Sequence, residues 1–319
     1  MLISAFILPD TCFAAILPRG RRADSRIADP FVLQRPRRGF QRHSNHQRVQ
    51  GAALRIHIGY DLRFQVPAPT PILLLLHVYP NQYLFARPEQ LAISPNLPFD
   101  TFLDINGNSC VRLTAQPGTL ALSSDAVVEV DGQPDVVNLS AMQHPIHELP
   151  INTLPFLFSS RYCEVDRLSD FAWATFGNGP TGYQRVQAIC SFVHNHIRFD
   201  YQTASPFKTA ADVFNQRQGV CRDFAHLAIT LCRCLGIPAR YATGYLGDIG
   251  VPFNPAPMDF SAWFEVFLSG TWYTFDARHN TPRIGRIVMA YGRDAVDAAL
   301  TSSFGPITLE RFAVWTSEV

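Results

Sequence analysis

The residue best placed for chemistry is Cys221, within Gly219-Val220-Cys221-Arg222-Asp223-Phe224. After it, Phe224, Leu227, Ala228, Leu231 and Leu235 fall at i, i+3, i+4, i+7 and i+11. That spacing predicts an amphipathic helix over 221–235 with the cysteine at its start. Unpaired backbone N–H groups at a helix N-terminus stabilise a thiolate, and the thiolate is the attacking species in thiol catalysis. Gly219 allows a tight entry into the helix. Asp223 in the first turn favours the helix but opposes a second anion beside it. The plainer alternative is a buried thiol that acts as a small hydrophobe.

A second cluster lies downstream. Ser261-Ala262-Trp263-Phe264-Glu265-Val266-Phe267-Leu268, then Ser269-Gly270-Thr271, then Trp272-Tyr273-Thr274-Phe275-Asp276 reads as a β-hairpin. It should bring Asp276 roughly opposite Ser261 or Ala262. His226, five residues after Cys221, sits about 140° round the helix and faces away from it. It reads as structural or surface-exposed. His194 and His196 form an H-x-H pair that would share a face only on a strand, so they do not read as metal ligands. Cys232 and Cys234 are C-x-C, not C-x-x-C, and read as packing residues. Tyr201 could help shape an oxyanion site, for which the Cys221 N–H is the better donor.

The elements that must position these residues change character along the chain. Ile56, Ile58, Tyr60, Leu62 and Phe64 alternate with polar residues and glycine, a half-buried strand. Further strands are expected at 72–79, 119–123 and 126–130, with a hairpin about Asn106-Gly107. After Pro150, helices are expected near 168–176, 181–196 and 209–215. Gly236-Ile237-Pro238 ends the cysteine helix. Strands follow at 239–246, 261–268, 272–277 and 284–290, and the Gly- and Pro-rich 247–260 reads as a loop. The division is therefore a leader over 1–53, an antiparallel β domain over 54–150 and a mixed domain over 151–319.

Five ordered segments carry a resemblance. They are Gly-Val-Cys-Arg-Asp-Phe-Ala-His (219–226), Leu-Gly-Ile-Pro-Ala-Arg-Tyr (235–241), Thr-Gly-Tyr-Leu (243–246), Ala-Trp-Phe-Glu-Val (262–266) and Trp-Tyr-Thr-Phe-Asp-Ala-Arg (272–278). Together they resemble the bacterial transglutaminase-like superfamily, whose members share a papain-like core and often an N-terminal β domain. The resemblance implies an α+β fold, with helices packed on an antiparallel sheet behind a β domain. It implies Cys221 as nucleophile and Asp276 as the carboxylate that orients a histidine. Where the family has that histidine, immediately before Ala-Trp, this chain has Ser261. Serine cannot act as a base toward a thiol near neutral pH. His279, three residues beyond Asp276, is the first candidate for a substitute base. Two functions follow. One is amide or isopeptide hydrolysis or transamidation through a Cys221 thioester. The other is a catalytically inactive protein that binds a peptide or protein partner.

Composition sets the remaining bounds. The 319 residues are 47% hydrophobic and 17% charged, enough to bury a large core. The net charge of +1 gives no reason to expect nucleic acid or a membrane surface as partner. No apolar run approaches the ~20 residues that span a bilayer. Ten arginines against three aspartates fall in the first 55 residues. This basic leader lacks periodicity and reads as unstructured, with the functional chain starting near Leu54. Pro9-Asp10 interrupts its apolar start, so export is the lesser reading and the cytoplasm the expected setting. Seven cysteines without a framework pattern favour reduced thiols. No cofactor is expected: there is no phosphate-cradling glycine motif and no metal-ligand spacing.

Overall fold

The computed structural model describes residues 54–319; the reading of the leader over 1–53 lies outside the described residues. The first half is antiparallel β: β1 (Leu54–Val66), β2 (Thr70–Leu74), β3 (Leu84–Arg87), β4 (Ala92–Ser94), β5 (Phe99–Leu103), β6 (Ser109–Ala115) and β7 (Gly118–Val130). Helices α1 (Val165–Phe176) and α2 (Tyr183–His196) follow, then the short β8 (Arg198–Phe199), α3 (Ala210–Gln216), the short β9 (Gln218–Gly219) and α4 (Cys221–Cys234). The chain closes with β10 (Ala239–Tyr245), β11 (Ser261–Leu268), β12 (Thr271–Phe275), β13 (Ile287–Gly292), β14 (Thr301–Ser303) and β15 (Thr308–Glu318). The fold is α+β, with antiparallel sheets in both halves.

The alternation in β1 does what its period requires. Ile56, Ile58, Tyr60, Leu62 and Phe64 are buried, and β1 is a central strand paired with both β7 and β15. Gly59 has a steric reason: a Cβ there would lie 2.3 Å from the Trp315 indole on the neighbouring strand. Several expectations change. The strands expected at 119–123 and 126–130 are one continuous β7, because Ser124 and Asp125 keep register opposite Tyr60 and Gly59. The strand expected over 72–79 ends at Leu74. Beyond it the backbone leaves the sheet, and Leu75 and Tyr79 donate to the Leu300 and Val288 carbonyls. The short β3 and β4 lack alternation and were not expected.

The boundary placed at Pro150 also needs amendment. It assigns the C-terminus to the mixed half, yet β15 pairs with β1 and β14 pairs with β2. The last strands therefore return to the sheets built by residues 54–130. Hydrophobic residues of both halves join in one buried cluster.

Helix α4 is the axis of the second half. It packs on α1, α2 and α3 and on the sheet ordered β12-β11-β10-β13. It is buried along its whole length, not on one stripe. A helix can be enclosed this way only when its polar side chains find partners. Arg233 donates to the Phe158 and Ala239 carbonyls, and Arg222 pairs with Asp223. Burying an apolar side chain such as Leu227 or Leu231 contributes about 1.5–3 kcal/mol. Gly236, at φ +72°, ends the helix in the left-handed conformation.

Candidate active site

Three local devices hold Cys221 at the start of α4. Asp223 reaches back so that its Oδ2 accepts from the Val220 N–H at 3.0 Å, half of a capping box. Gly219 leaves room for that carboxylate, since a Cβ there would lie 2.7 Å from Asp223 Oδ2. Gly219 also pairs with Phe199 in the parallel β8–β9 bridge, which sets Phe199 and Tyr201 in front of the helix start. Asp223 is itself held by Arg222, at 3.1 Å, which offsets part of its charge within the turn.

The thiol is buried, with Cys221 only 3% exposed. Burial pushes its pKa up to about 11. Arg278 and the backbone N–H of Ala262 act in the opposite direction, and Asp259 and Asp223 reinforce the rise. In this geometry the sulfur carries its proton at neutral pH. Neither Asp276 nor His279 is among the principal groups acting on it.

Ser261 opens β11 opposite Gly244. Its carbonyl accepts from Thr243 Oγ1 at 3.1 Å. Among the described residues its hydroxyl makes no side-chain hydrogen bond. The next residue, Ala262, turns its N–H toward Cys221, so the start of β11 does reach the thiol.

Asp276 follows the last residue of β12. The hairpin turn is Ser269-Gly270, with φ of +46° and +81°. This left-handed two-residue turn matches the strand twist. It puts Phe275 opposite Phe264, so Asp276 falls at the level of Trp263, short of the expected Ser261 or Ala262. Its carboxylate is fully engaged. Oδ2 accepts from Arg286 Nη2 at 3.0 Å and faces His279 Nδ1 at 2.8 Å, and Oδ1 accepts from the N–H groups of Arg278 and His279. Arg286 and His279 hold this carboxyl well below the usual range despite its burial. Arg286 also pairs with Asp135 at 2.9 Å and lies over the Trp263 ring.

His279 does fold back from the strand end, onto Asp276. Its side chain is 27% exposed. His226 faces away from Cys221 but is buried, not on the surface. Its Nε2 accepts from the Ala295 N–H at 3.1 Å and its ring stacks on Tyr162. His194 Nδ1 meets the Arg278 carbonyl at 2.9 Å and His196 Nε2 the Phe214 carbonyl at 2.7 Å. Cys232 is buried, and Cys234 donates to the Val165 carbonyl. Tyr201 lies in the site, half-buried, with Cys221 and Arg278 both acting on its hydroxyl.

Sequence reasoning passed over Arg278, Asp259 and Arg286. Arg278 stands inside the Trp-Tyr-Thr-Phe-Asp-Ala-Arg segment, so the signal was present without a role. Arg286 lies ten residues beyond Asp276, and no local pattern marks it as that residue's partner.

A helix-borne thiol facing the first residues of a strand, with a carboxylate at the end of the next strand, defines the class. The chain belongs to the transglutaminase-like superfamily, whose core pattern matches residues 170–277. That span contains Cys221, Ser261 and Asp276. The "putative cysteine protease" of Cytophaga hutchinsonii is 33% identical over 84% of this chain and 92% of its own, with a TM-score of 0.75. The uncharacterized protein ML0607 of Mycobacterium leprae is 31% identical over 117 residues. The match spans 36% of this chain and 42% of that relative.

Proposed function

We propose that this chain binds a peptide or protein partner at the face before the start of α4 and does not turn over amides near neutral pH. One observation carries the reading: among the described residues no imidazole is one of the principal groups acting on the thiol. Ser261 opens β11, and the carboxylate that would orient a base is engaged by Arg286 and His279. A thiol held near pKa 11 has a thiolate fraction of about one in ten thousand at pH 7. Amide attack needs that thiolate, and expulsion of the amine needs a proton donor; Ser261 supplies neither. A reducing, cytoplasmic setting belongs to this reading, and the six described cysteines are all free thiols.

A second reading is favoured by the His279–Asp276 hydrogen bond, the orientation a general base requires. His279 would take the Cys221 proton, and the sulfur would attack an amide carbonyl. The C–N bond would break as the amine takes the proton back. Water or a second amine would then resolve the thioester.

The two readings separate in one assay. Hydrolysis of labelled casein and incorporation of a fluorescent amine are measured for the native protein and for Cys221→Ser. The proposal expects equal background rates in both. Turnover that depends on Cys221 would overturn it in favour of the second reading.

A further inference from the structure

Arg278 differs from the other arginines near the core. Arg222 pairs with Asp223, Arg240 with Glu265, and Arg286 with Asp135 and Asp276. Arg233 and Arg185 are saturated by backbone carbonyls. The half-buried Arg278 guanidinium is in no ion pair among the described residues, and no carbonyl there accepts from it. It lies over the Phe199 ring, with its Cζ 3.9 Å from the centroid, and acts on the Tyr201 hydroxyl. Phe199 and Tyr201 stack edge to face at 4.8 Å. Phe199 is bridged to Gly219, two residues before Cys221. The backbone is fixed as well: the Arg278 N–H donates to Asp276 and its carbonyl meets His194.

A half-buried guanidinium that makes no ion pair among the described residues keeps N–H donors for an incoming anion. Its planar fork of N–H groups fits a carboxylate bidentately, and stacking on an aromatic ring orients that fork in advance. We propose that Arg278 is the specificity residue of the face before Cys221 and receives a carboxylate of the bound peptide there. This deepens the binding reading by naming the chemistry of the partner. The carboxylate would come from an acidic side chain or from a peptide C-terminus.

The test needs no identified partner. Iodoacetate and iodoacetamide alkylate thiolates by the same displacement of iodide, but only iodoacetate carries a carboxylate. Both are applied to the native protein at one alkaline pH where the fold persists, and labelling of Cys221 is read by peptide mass spectrometry. The iodoacetate to iodoacetamide rate ratio should exceed that of glutathione by about tenfold, the effect of one favourable charge contact. Arg278→Gln should bring the ratio down to the glutathione value, and Arg278→Lys should keep part of the excess. A ratio equal to that of glutathione, or one unchanged in Arg278→Gln, would overturn the proposal. Cys221 left unlabelled by both reagents while the unfolded chain is labelled would also overturn it, since no carboxylate then reaches the sulfur.

Competition separates the two sources. Protection by acetyl-Ala-Glu-Ala-amide points to an acidic side chain, and protection by acetyl-Ala-Ala-Ala with a free C-terminus points to the terminal carboxylate. Equal protection by acetyl-Ala-Gln-Ala-amide would count against the proposal. Failure here is distinct from failure of the binding reading, which shows itself as Cys221-dependent turnover.

Discussion

The thiol at the start of α4 and the carboxylate at the end of β12 are built on opposite principles. Asp276 is buried with every lone pair matched: two backbone N–H groups, an imidazole and the Arg286 guanidinium surround it. Cys221 is buried with its charged neighbours divided, Arg278 against Asp259 and Asp223. The first arrangement holds an ion permanently; the second holds a neutral atom. In a working triad one imidazole joins two such groups. Here each of the two groups has electrostatic partners of its own.

The largest effect should come from breaking the satisfied side. Arg286→Met leaves Asp276 and Asp135 buried without their shared cation. Removing one partner of such a network costs about 3–5 kcal/mol, to be read from urea unfolding. A loss well under 1 kcal/mol would mean that water, not Arg286, solvates the carboxylates. On the thiol side, Asp223→Ala removes the reach-back cap and strands Arg222, at a cost of about 3 kcal/mol. A stability unchanged by this substitution would contradict the capping account of how Cys221 is placed.

Acid should act next. His226 is enclosed, and its pKa is pushed well below the ordinary value by burial and by Arg222 and Arg233; Tyr162 and Tyr241 close its two faces. Its folded pKa is depressed, so the unfolded chain binds the proton first. The stability it contributes is present above about pH 6.5 and declines as pH falls below that value. Between pH 6.5 and 5 the loss should be about 2 kcal/mol, and His226→Phe should flatten that window. Asp276 acts in a separate window. Its depressed carboxyl contributes stability that is present above about pH 4 and lost as pH falls further, toward its folded value. Asp276→Asn should flatten that lower limb alone. A single acid limb unchanged by either substitution would show that neither group governs it.

Much of this was readable in the residues. Cys221 at a helix start, the Ser261–Leu268 strand and its partner followed from periodicity and turn chemistry, since those signals are local. The return of β15 to pair with β1 was not, because the two strands are separated by more than 240 residues and no local pattern encodes that distance. The enclosure of α4 was hidden for a related reason. Arg222, His226 and Arg233 look like a polar face in sequence, and only their distant partners make them core residues. The same holds at the site: Asp276 could be picked out by its place in a motif, whereas Arg286 as its partner depends on β13 crossing beside β10.

The measurement that tests the proposed reading most directly is the pH profile of Cys221 alkylation by iodoacetamide, in the native protein and in Ser261→His. The account predicts that the native rate keeps rising through pH 9 and beyond, toward the thiol's pKa of about 11, with no plateau near neutrality. Ser261→His should add a reactive limb near neutral pH, as a thiolate–imidazolium pair forms. A native thiol already reacting at full rate near pH 7 would contradict the account.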